Sequence, residues 1–355
     1  MSVIIFLIIL SVLVLFNEFG HFIAAKKNGV KVEEFGIGYP PRLLSFKKKG
    51  TIYSLNLLPF GGFVKVYGEE YHEQEKNKNK DRDKAFVFKK PWQKTIIILA
   101  GVIGNILLAW LIFTYLSTQG IYINTNKVKV ENVQQNSPAY YAGILKNDII
   151  KEIKINNKIY KIDNSEKLIS LTKQFAGEKI QIVIERQESG LVISTVARKN
   201  PPKDQGPLGV MISSVELRKY SLYKAPFIGL IQTNNYLKAI MAGFINLFKD
   251  LFTFKKPSIE ITGPIGIAKY TNQAFKYGFN ALLEFTALLS LNLAVLNVIP
   301  FPALDGGRLV FVFYEWISKK RSNQNIERVV NGLGMIILLI LLAIITINDI
   351  LKLYK

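Results

Sequence analysis

The chain has 355 residues, of which 49% are hydrophobic, and a formal net charge of +20. A basic excess of this size indicates nucleic acid or an anionic membrane surface as a partner. The apolar residues are concentrated in a few blocks, which favours the membrane over nucleic acid. Because the chain has no cysteine, disulfide scaffolds, zinc fingers, iron–sulfur clusters and thiol nucleophiles are excluded. Only two histidines, His21 and His72, are available as metal ligands.

Residues 1–25 are almost continuously apolar and form the first predicted membrane span. At about 1.5 Å rise per residue, a helix of this length crosses a hydrocarbon core of about 30 Å. A cleaved signal peptide is the alternative, but no Lys or Arg precedes the apolar run, whereas Lys26 and Lys27 follow it. That charge order is the reverse of a signal peptide, so we expect the segment to remain as a transmembrane helix.

Three further apolar blocks, at about 95–116, 281–298 and 333–347, predict three more transmembrane helices. Four spans place both termini on the same side. The segments between spans one and two and between spans three and four are rich in Lys and Arg, which predicts that both are cytoplasmic. The termini and residues 120–280 are then expected outside the cytoplasm.

The first intervening segment, 29–90, is predicted to be a cytoplasmic, membrane-associated, β-rich loop. Residues 29–70 alternate short apolar runs with glycine and proline, a pattern of short strands and turns. Residues 69–90 are dense in charge, which predicts a solvated and partly disordered loop. We therefore assign residues 1–118 to the first two transmembrane helices and this loop.

Residues 122–210 predict a compact β-rich domain, because VKVENV and IQIVIERQ alternate as strands do. Ser137-Pro138-Ala139, Ala142-Gly143-Ile144 and Asn147-Asp148 resemble the corresponding motifs of bacterial PDZ domains. The resemblance implies a PDZ-like, extracytoplasmic domain over 119–215. Such domains bind extended peptides at a sheet edge; whether this one does is left open, because no carboxylate-binding loop is identified.

Residues 222–254 are apolar with polar interruptions at helical spacing, which predicts an amphipathic helix on the outer membrane surface. It belongs to an interfacial segment, 216–280, and 281–355 holds the last two transmembrane helices. A fifth span at 222–254 is the alternative. The predicted fold is an α-helical membrane protein with four transmembrane helices, a β-rich cytoplasmic loop and an inserted PDZ-like β-rich domain.

Glu18 and His21 lie inside the first apolar block, where ionisable residues are costly and usually functional. With His at position 17, the string from Asn17 to His21 would read H-E-x-x-H, two zinc ligands one helical turn apart with a general base between them. Near the end of the third span, Asp305 follows prolines that break the helix and free backbone groups at membrane depth. The two motifs together favour a metal site over a buried polar pair satisfied by neighbouring helices.

With these motifs the chain resembles the site-2 protease family of intramembrane zinc metalloproteases (peptidase family M50), in particular the regulator of sigma-E protease type. The resemblance covers nearly the whole chain, including Leu58–Lys65 (LPFGGFVK), Gly263–Ala268 (GPIGIA) and the N-x-x-P-x-P-x-L-D-G run from Asn297. It implies zinc as the cofactor, a bacterial cytoplasmic membrane, and single-pass membrane proteins such as anti-sigma factors as substrates.

The resemblance also implies individual roles. Glu18 is implied as the general base, with His21 and Asp305 as two of three zinc ligands. Asn105 lies in a motif matching the family's A-G-P-x-x-N, with Val102 replacing the proline. The residues implied to hold substrate are Gly38, on a strand edge, and Asn105, Asn297, Pro300 and Pro302.

Asn17 is the main departure from the family. Catalytic zinc takes three protein ligands and a water, and the neutral amide oxygen of Asn is a much poorer donor than imidazole. His72, in the charged loop, is not favoured as a replacement. We expect weak zinc binding and slow or absent cleavage, and we favour one substitution in an otherwise working protease over a natural non-catalytic relative.

Two other classes are open. A non-enzymatic membrane protein could use the same groove and PDZ-like domain to hold partners without cutting them. A transporter or channel is disfavoured by the few spans and the lack of an internal repeat.

Overall fold

Nine helices are found in the described part of the chain, which in this computed structural model comprises residues 2–69, 82–156, 158–253, 255 and 262–353. They are α1 (Ser2–Lys27), α2 (Pro91–Gln119), α3 (Pro138–Tyr141), α4 (Ser165–Gln174), α5 (Ala225–Phe252), α6 (Pro264–Lys276), α7 (Phe279–Val298), α8 (Asp305–Ser318) and α9 (Gln324–Leu353). The strands are β1 (Val32–Lys48), β2 (Thr51–Val66), β3 (Ile121–Val133), β4 (Ile149–Ile155), β5 (Lys158–Lys161), β6 (Lys179–Arg186), β7 (Ser189–Val196) and β8 (Val210–Arg218). The chain divides into two compact units, one of Met1–Leu116 with Ser221–Lys355 and one of Ser117–Tyr220.

Four of the described helices are long and apolar enough to cross a membrane: Ile4–Lys27, Pro91–Gln119, Phe279–Val298 and Gln324–Lys352. They confirm the predicted number and order of long apolar helices. The segment predicted to be an amphipathic helix at 222–254 forms α5, and α5 is not one of these four.

Helices α1 and α2 pack closely because glycines remove side chains at their contact. A Cβ on Gly20 would lie 2.1 Å from the carbonyl oxygen of Ala100, and one on Gly104 would lie 2.5 Å from that of Phe16. Helix α7 packs beside them, where the Ser290 hydroxyl donates to the carbonyl oxygen of Asn105 at 2.8 Å. These contacts form the frame that holds the candidate site.

Strands β1 and β2 pair in a sheet that lies against α1. Both strands bend, so residues 34–37 have Cα partners at 52–55 on one side and 62–65 on the other. The Ser11 hydroxyl donates to the carbonyl oxygen of Pro59 at 2.5 Å and accepts from the Gly61 N–H at 3.1 Å. Ser11 is about 24 Å along the helix from Lys27, so the sheet reaches past the middle of this candidate span.

The depth of this sheet refines the prediction of a membrane-associated loop. Its outer residues are apolar and exposed in the isolated chain, as a lipid-facing surface would be; among them are Leu43, Leu44, Phe46, Leu57 and Leu58. The charged turn Lys47–Gly50 lies at the other end, beside Thr51, whose hydroxyl donates to the carbonyl oxygen of Val32 at 2.8 Å. The sheet is therefore apolar at its deep end and basic at its base.

The charged loop predicted over 69–90 is only partly described, since 70–81 lie outside the described residues. The rest of the prediction is wrong, because residues 82–88 form two short turns of 3₁₀ helix and pack against the protein. Ala85 is fully buried, and Phe86 packs on a core that includes Ala25 and Ile97. Two apolar residues in a charged segment were enough to anchor it.

The second unit is built on a six-stranded antiparallel sheet in the order β7-β6-β4-β3-β8, with β5 pairing with β4. Its core consists largely of isoleucine, valine and leucine from β3, β4, β6 and α4. Asp148 accepts hydrogen bonds from Arg186 at 2.7 and 2.8 Å and from the Leu145 N–H at 2.8 Å. Burial raises the pKa of the Asp148 carboxyl, but these bonds outweigh it and hold the pKa below its ordinary value of 3.8.

Candidate metal centre

His21 is held in one orientation by the neighbouring helix. Its Nδ1 lies 2.9 Å from the carbonyl oxygen of Ile97 in α2, and since a carbonyl can only accept, Nδ1 carries the proton. A neutral His21 then presents the lone pair of Nε2, which is the atom available to a metal. Gly101 leaves room for the ring, because a Cβ there would lie 2.2 Å from Nε2.

Asp305 is the first residue of α8, after the non-helical turn that follows α7. The turn is tightly closed, since a Cβ on Gly306 would lie 2.1 Å from the carbonyl oxygen of Ile299. Helix α9 supports it from outside, where Asn331 accepts from the N–H of Ala303 at 3.2 Å. A carboxylate in the first turn of a helix is favoured by the helix dipole.

Three side chains converge at the contact between α1 and α8. His21 Nε2 lies 3.3 Å from Asp305 Oδ2 and 3.1 Å from Asn17 Oδ1. Tetrahedral zinc with bonds of about 2.0–2.2 Å separates its ligand atoms by roughly 3.3–3.5 Å. These separations suit a zinc ion, and a cation between three lone-pair donors would replace repulsion with attraction.

The chemistry of the third donor is weaker than its position. Within the described residues no group of three His, Cys, Asp or Glu side chains could hold a metal ion, so the third position falls to Asn17. Its Nδ2 is buried and has no hydrogen-bond partner in the described contacts. The residues present therefore fit zinc with two strong ligands and one weak one.

Glu18 lies on the same helix, one residue before the turn that carries His21. Its Oε2 accepts a hydrogen bond from the backbone N–H of Val64 in β2 at 2.9 Å. The β1–β2 sheet thus fixes the carboxylate beside the convergence point, as a general base requires.

The structure also gives positions to the residues implied to hold substrate. Asn105 is fully buried, and neither its Oδ1 nor its Nδ2 has a partner among the described contacts. Asn297 is in the last turn of α7, and Pro300 and Pro302 are in the turn before Asp305. Gly38 lies in β1, in the sheet that supplies the Val64 N–H, and has a φ of 75°.

Several supporting residues were missed from the sequence. Ile97 and Val64 act through their backbones, which leaves no residue-type signal. Gly334 of α9 faces the proline turn, where a Cβ would lie 2.4 Å from Pro302. A glycine in an otherwise apolar span was the one available hint. His72 lies outside the described residues.

Comparisons with known proteins agree with this geometry. The profile of peptidase family M50 matches residues 5–341. A Clostridium perfringens protein, named as a candidate zinc metalloprotease, is 35% identical over 357 residues, covering 99% of this chain and 98% of its own. Proteins with the same kind of name from Clostridium acetobutylicum and Rickettsia conorii are each 32% identical, over 98% and 100% of this chain and 97% and 100% of their own.

Proposed function

Because the chain belongs to peptidase family M50, we propose that it is an intramembrane zinc endopeptidase that cleaves transmembrane segments of single-pass proteins. The observation that carries the proposal is the convergence of His21 Nε2 and Asp305 Oδ2 at 3.3 Å, beside Glu18, on helices long enough to span a membrane. The membrane is the bacterial cytoplasmic membrane, in keeping with the bacterial relatives.

His21, Asp305 and the weak donor Asn17 would hold the zinc ion. Zinc, when bound, acts as a Lewis acid that polarises the scissile carbonyl and acidifies water. Glu18 then takes the proton of the attacking water and passes it to the leaving amine, with the Val64 N–H holding its carboxylate in place. A fully buried and unpartnered amide is costly in apolar surroundings, so we assign Asn105 to bind substrate or an ordered water.

A substrate helix must unwind before cleavage, because a helix shields its own carbonyl groups. The β1–β2 sheet supports a receiving role, since it reaches the depth of Ser11 and its edge can pair with an extended segment. Gly38 lies in this sheet, and Asn297, Pro300 and Pro302 line the turn beside Asp305. Anti-sigma-factor-like proteins, shortened by an earlier cut, are the proposed substrates.

The inserted unit Ser117–Tyr220 is proposed to be a PDZ-like domain on the outer side of the membrane. Its antiparallel sheet and its short helix at Pro138–Tyr141 support that assignment. The domain would exclude substrates that still carry a bulky outer domain.

Asn17 makes this chain a weak zinc binder and a slow protease. The alternative is a catalytically inactive membrane protein that holds partners in the same groove. Asn17 itself favours this second candidate, while the intact set of Glu18, His21 and Asp305 favours the first.

Zinc content decides between them. We expect detergent-purified Asn17→His protein to hold about one zinc per chain and to cleave a single-span model substrate, and the chain as written to hold much less. Glu18→Gln in the Asn17→His protein is the matched control, which should keep zinc and lose cleavage. If Asn17→His protein holds no zinc, the metalloprotease proposal is wrong and the binding protein replaces it.

A further inference from the structure

Lys94 and Glu315 form a buried ion pair that has no part in the proposed chemistry. The Nζ of Lys94, in α2, lies 2.7 Å from Oε2 of Glu315, in α8, and the side chains are only 4% and 8% exposed. Withdrawing two charges from water is costly, and the cost is recovered only when geometry and further hydrogen bonds satisfy both groups.

Both partners of the pair have further contacts. The other oxygen of Glu315 accepts from the backbone N–H and the hydroxyl of Ser322 at 3.3 and 3.2 Å. Lys94 Nζ also lies 5.8 Å from the centre of the Phe86 ring, within the range of a cation–π contact. A pair satisfied on both sides permits one relative position of its two helices.

Each partner lies on an element that orients one proposed zinc ligand. Lys94 is one helical turn before Ile97, whose carbonyl oxygen accepts from His21 Nδ1. Glu315 is on α8, ten residues or about 15 Å along the helix from Asp305. The ion pair therefore connects the helix that orients His21 with the helix that begins at Asp305.

We propose that Lys94 and Glu315 are positioning residues, which set α8 against α2 so that Asp305 meets His21 at ligand distance. The inference rests on the proposed zinc site. Apolar helix faces can slide past one another with little change in contact area, whereas a short bond between two buried charges does not allow sliding. Neither residue contacts the reacting atoms.

The test removes both charges at once, with K94M/E315Q in the Asn17→His protein. Met keeps the volume of the lysine stem, and Gln keeps an oxygen for Ser322. We expect zinc affinity, titrated against a chromophoric chelator, to fall by about 10- to 100-fold, as for other residues that orient metal ligands, with little change in the thermal midpoint. The control K151M/E185Q removes an exposed pair of the second unit and should leave zinc affinity unchanged.

A second readout needs no metal. Since the chain lacks cysteine, spin labels at Trp92→Cys in α2 and Trp316→Cys in α8, both exposed, report the separation of the two helices. We expect the distance distribution to broaden in K94M/E315Q. If that variant does not fold, K94E is compared with K94E/E315K, in which the exchanged charges should restore both zinc affinity and a narrow distribution.

The outcomes separate the two proposals. Equal zinc affinity with and without the pair overturns the positioning role alone. A loss of affinity without broadening also overturns it, because the pair would then act otherwise than by position. Absence of zinc from Asn17→His protein with the pair intact overturns the zinc site itself.

Discussion

Residue 101 can carry no side chain without displacing a proposed zinc ligand. A Cβ on Gly101 would lie 2.2 Å from Nε2 of His21 and 2.9 Å from Nδ2 of Asn17. Alanine normally stabilises a helix relative to glycine by about 0.5–1 kcal/mol, so propensity and site geometry act in opposite directions here. At this position the geometry must dominate, because the clash is with the ring that carries the donor atom.

We therefore expect Gly101→Ala in the Asn17→His protein to lose zinc by tenfold or more. The matched control is Gly332→Ala in α9, where an added Cβ meets nothing within 4 Å; it should keep zinc and unfold at a slightly higher temperature. Zinc content and thermal midpoint are measured on both variants. Full zinc in Gly101→Ala would mean that the His21 ring can move without cost.

Single residues also show the limit of sequence reasoning. Glu18, His21 and Asp305 were identifiable because ionisable groups are rare in apolar segments. The carbonyl of Ile97 and the N–H of Val64 were not, since every residue but proline has the same backbone groups. Lys94 and Glu315 looked like ordinary charges at the ends of apolar segments, and only their 2.7 Å contact reveals a pair.

At the scale of elements, the β1–β2 sheet differs most from its sequence prediction. Its strands were predicted from glycine, proline and short apolar runs, but its depth was not. Depth follows from contacts with Ser11 and Glu18, which lie some 48 and 46 residues from their partners in β2. Contacts so distant along the chain leave no local pattern.

This depth predicts the effect of a charge at Leu57, two residues before Pro59. Leu57 is 52% exposed in the isolated chain, so Leu57→Lys would be nearly neutral in water. In lipid we expect it to destabilise the protein by about 2–4 kcal/mol, the cost of Lys near the bilayer centre. The measurement is unfolding by denaturant in lipid nanodiscs.

Val192→Lys in β7 is the matched control, since Val192 is 59% exposed and belongs to the second unit. It should change the free energy of unfolding by less than about 0.5 kcal/mol. Equal effects of the two substitutions would show that Leu57 faces water rather than lipid.

The turn between α7 and α8 was half predictable. Prolines at 300 and 302 indicated where α7 ends, and α7 does end at Val298. The sequence did not predict α8, nor the support of the turn by Asn331 and Gly334 of α9. The carboxylate of Asp305 is thus placed by a helix that follows it by more than twenty residues.

For the whole molecule, the charge asymmetry of the sequence predicts which segments are cytoplasmic. The absence of cysteine makes this testable with single substitutions at two exposed polar positions, Lys48→Cys and Asp204→Cys. In right-side-out vesicles a membrane-impermeant maleimide should label position 204 and spare position 48, and in inverted vesicles the reverse. Labelling of both positions from one side would contradict the four-span topology.

The sequence by itself determined the membrane class, the four long apolar helices and the residue types of the candidate site. Those features depend on local composition and spacing, which a helix or strand expresses without its neighbours. The tertiary structure alone decided that His21 and Asp305, 284 positions apart, meet at 3.3 Å, that the β1–β2 sheet lies beside α1, and that Lys94 pairs with Glu315. Each of these depends on close packing between distant segments, where glycines and buried charges fix positions that no local pattern specifies.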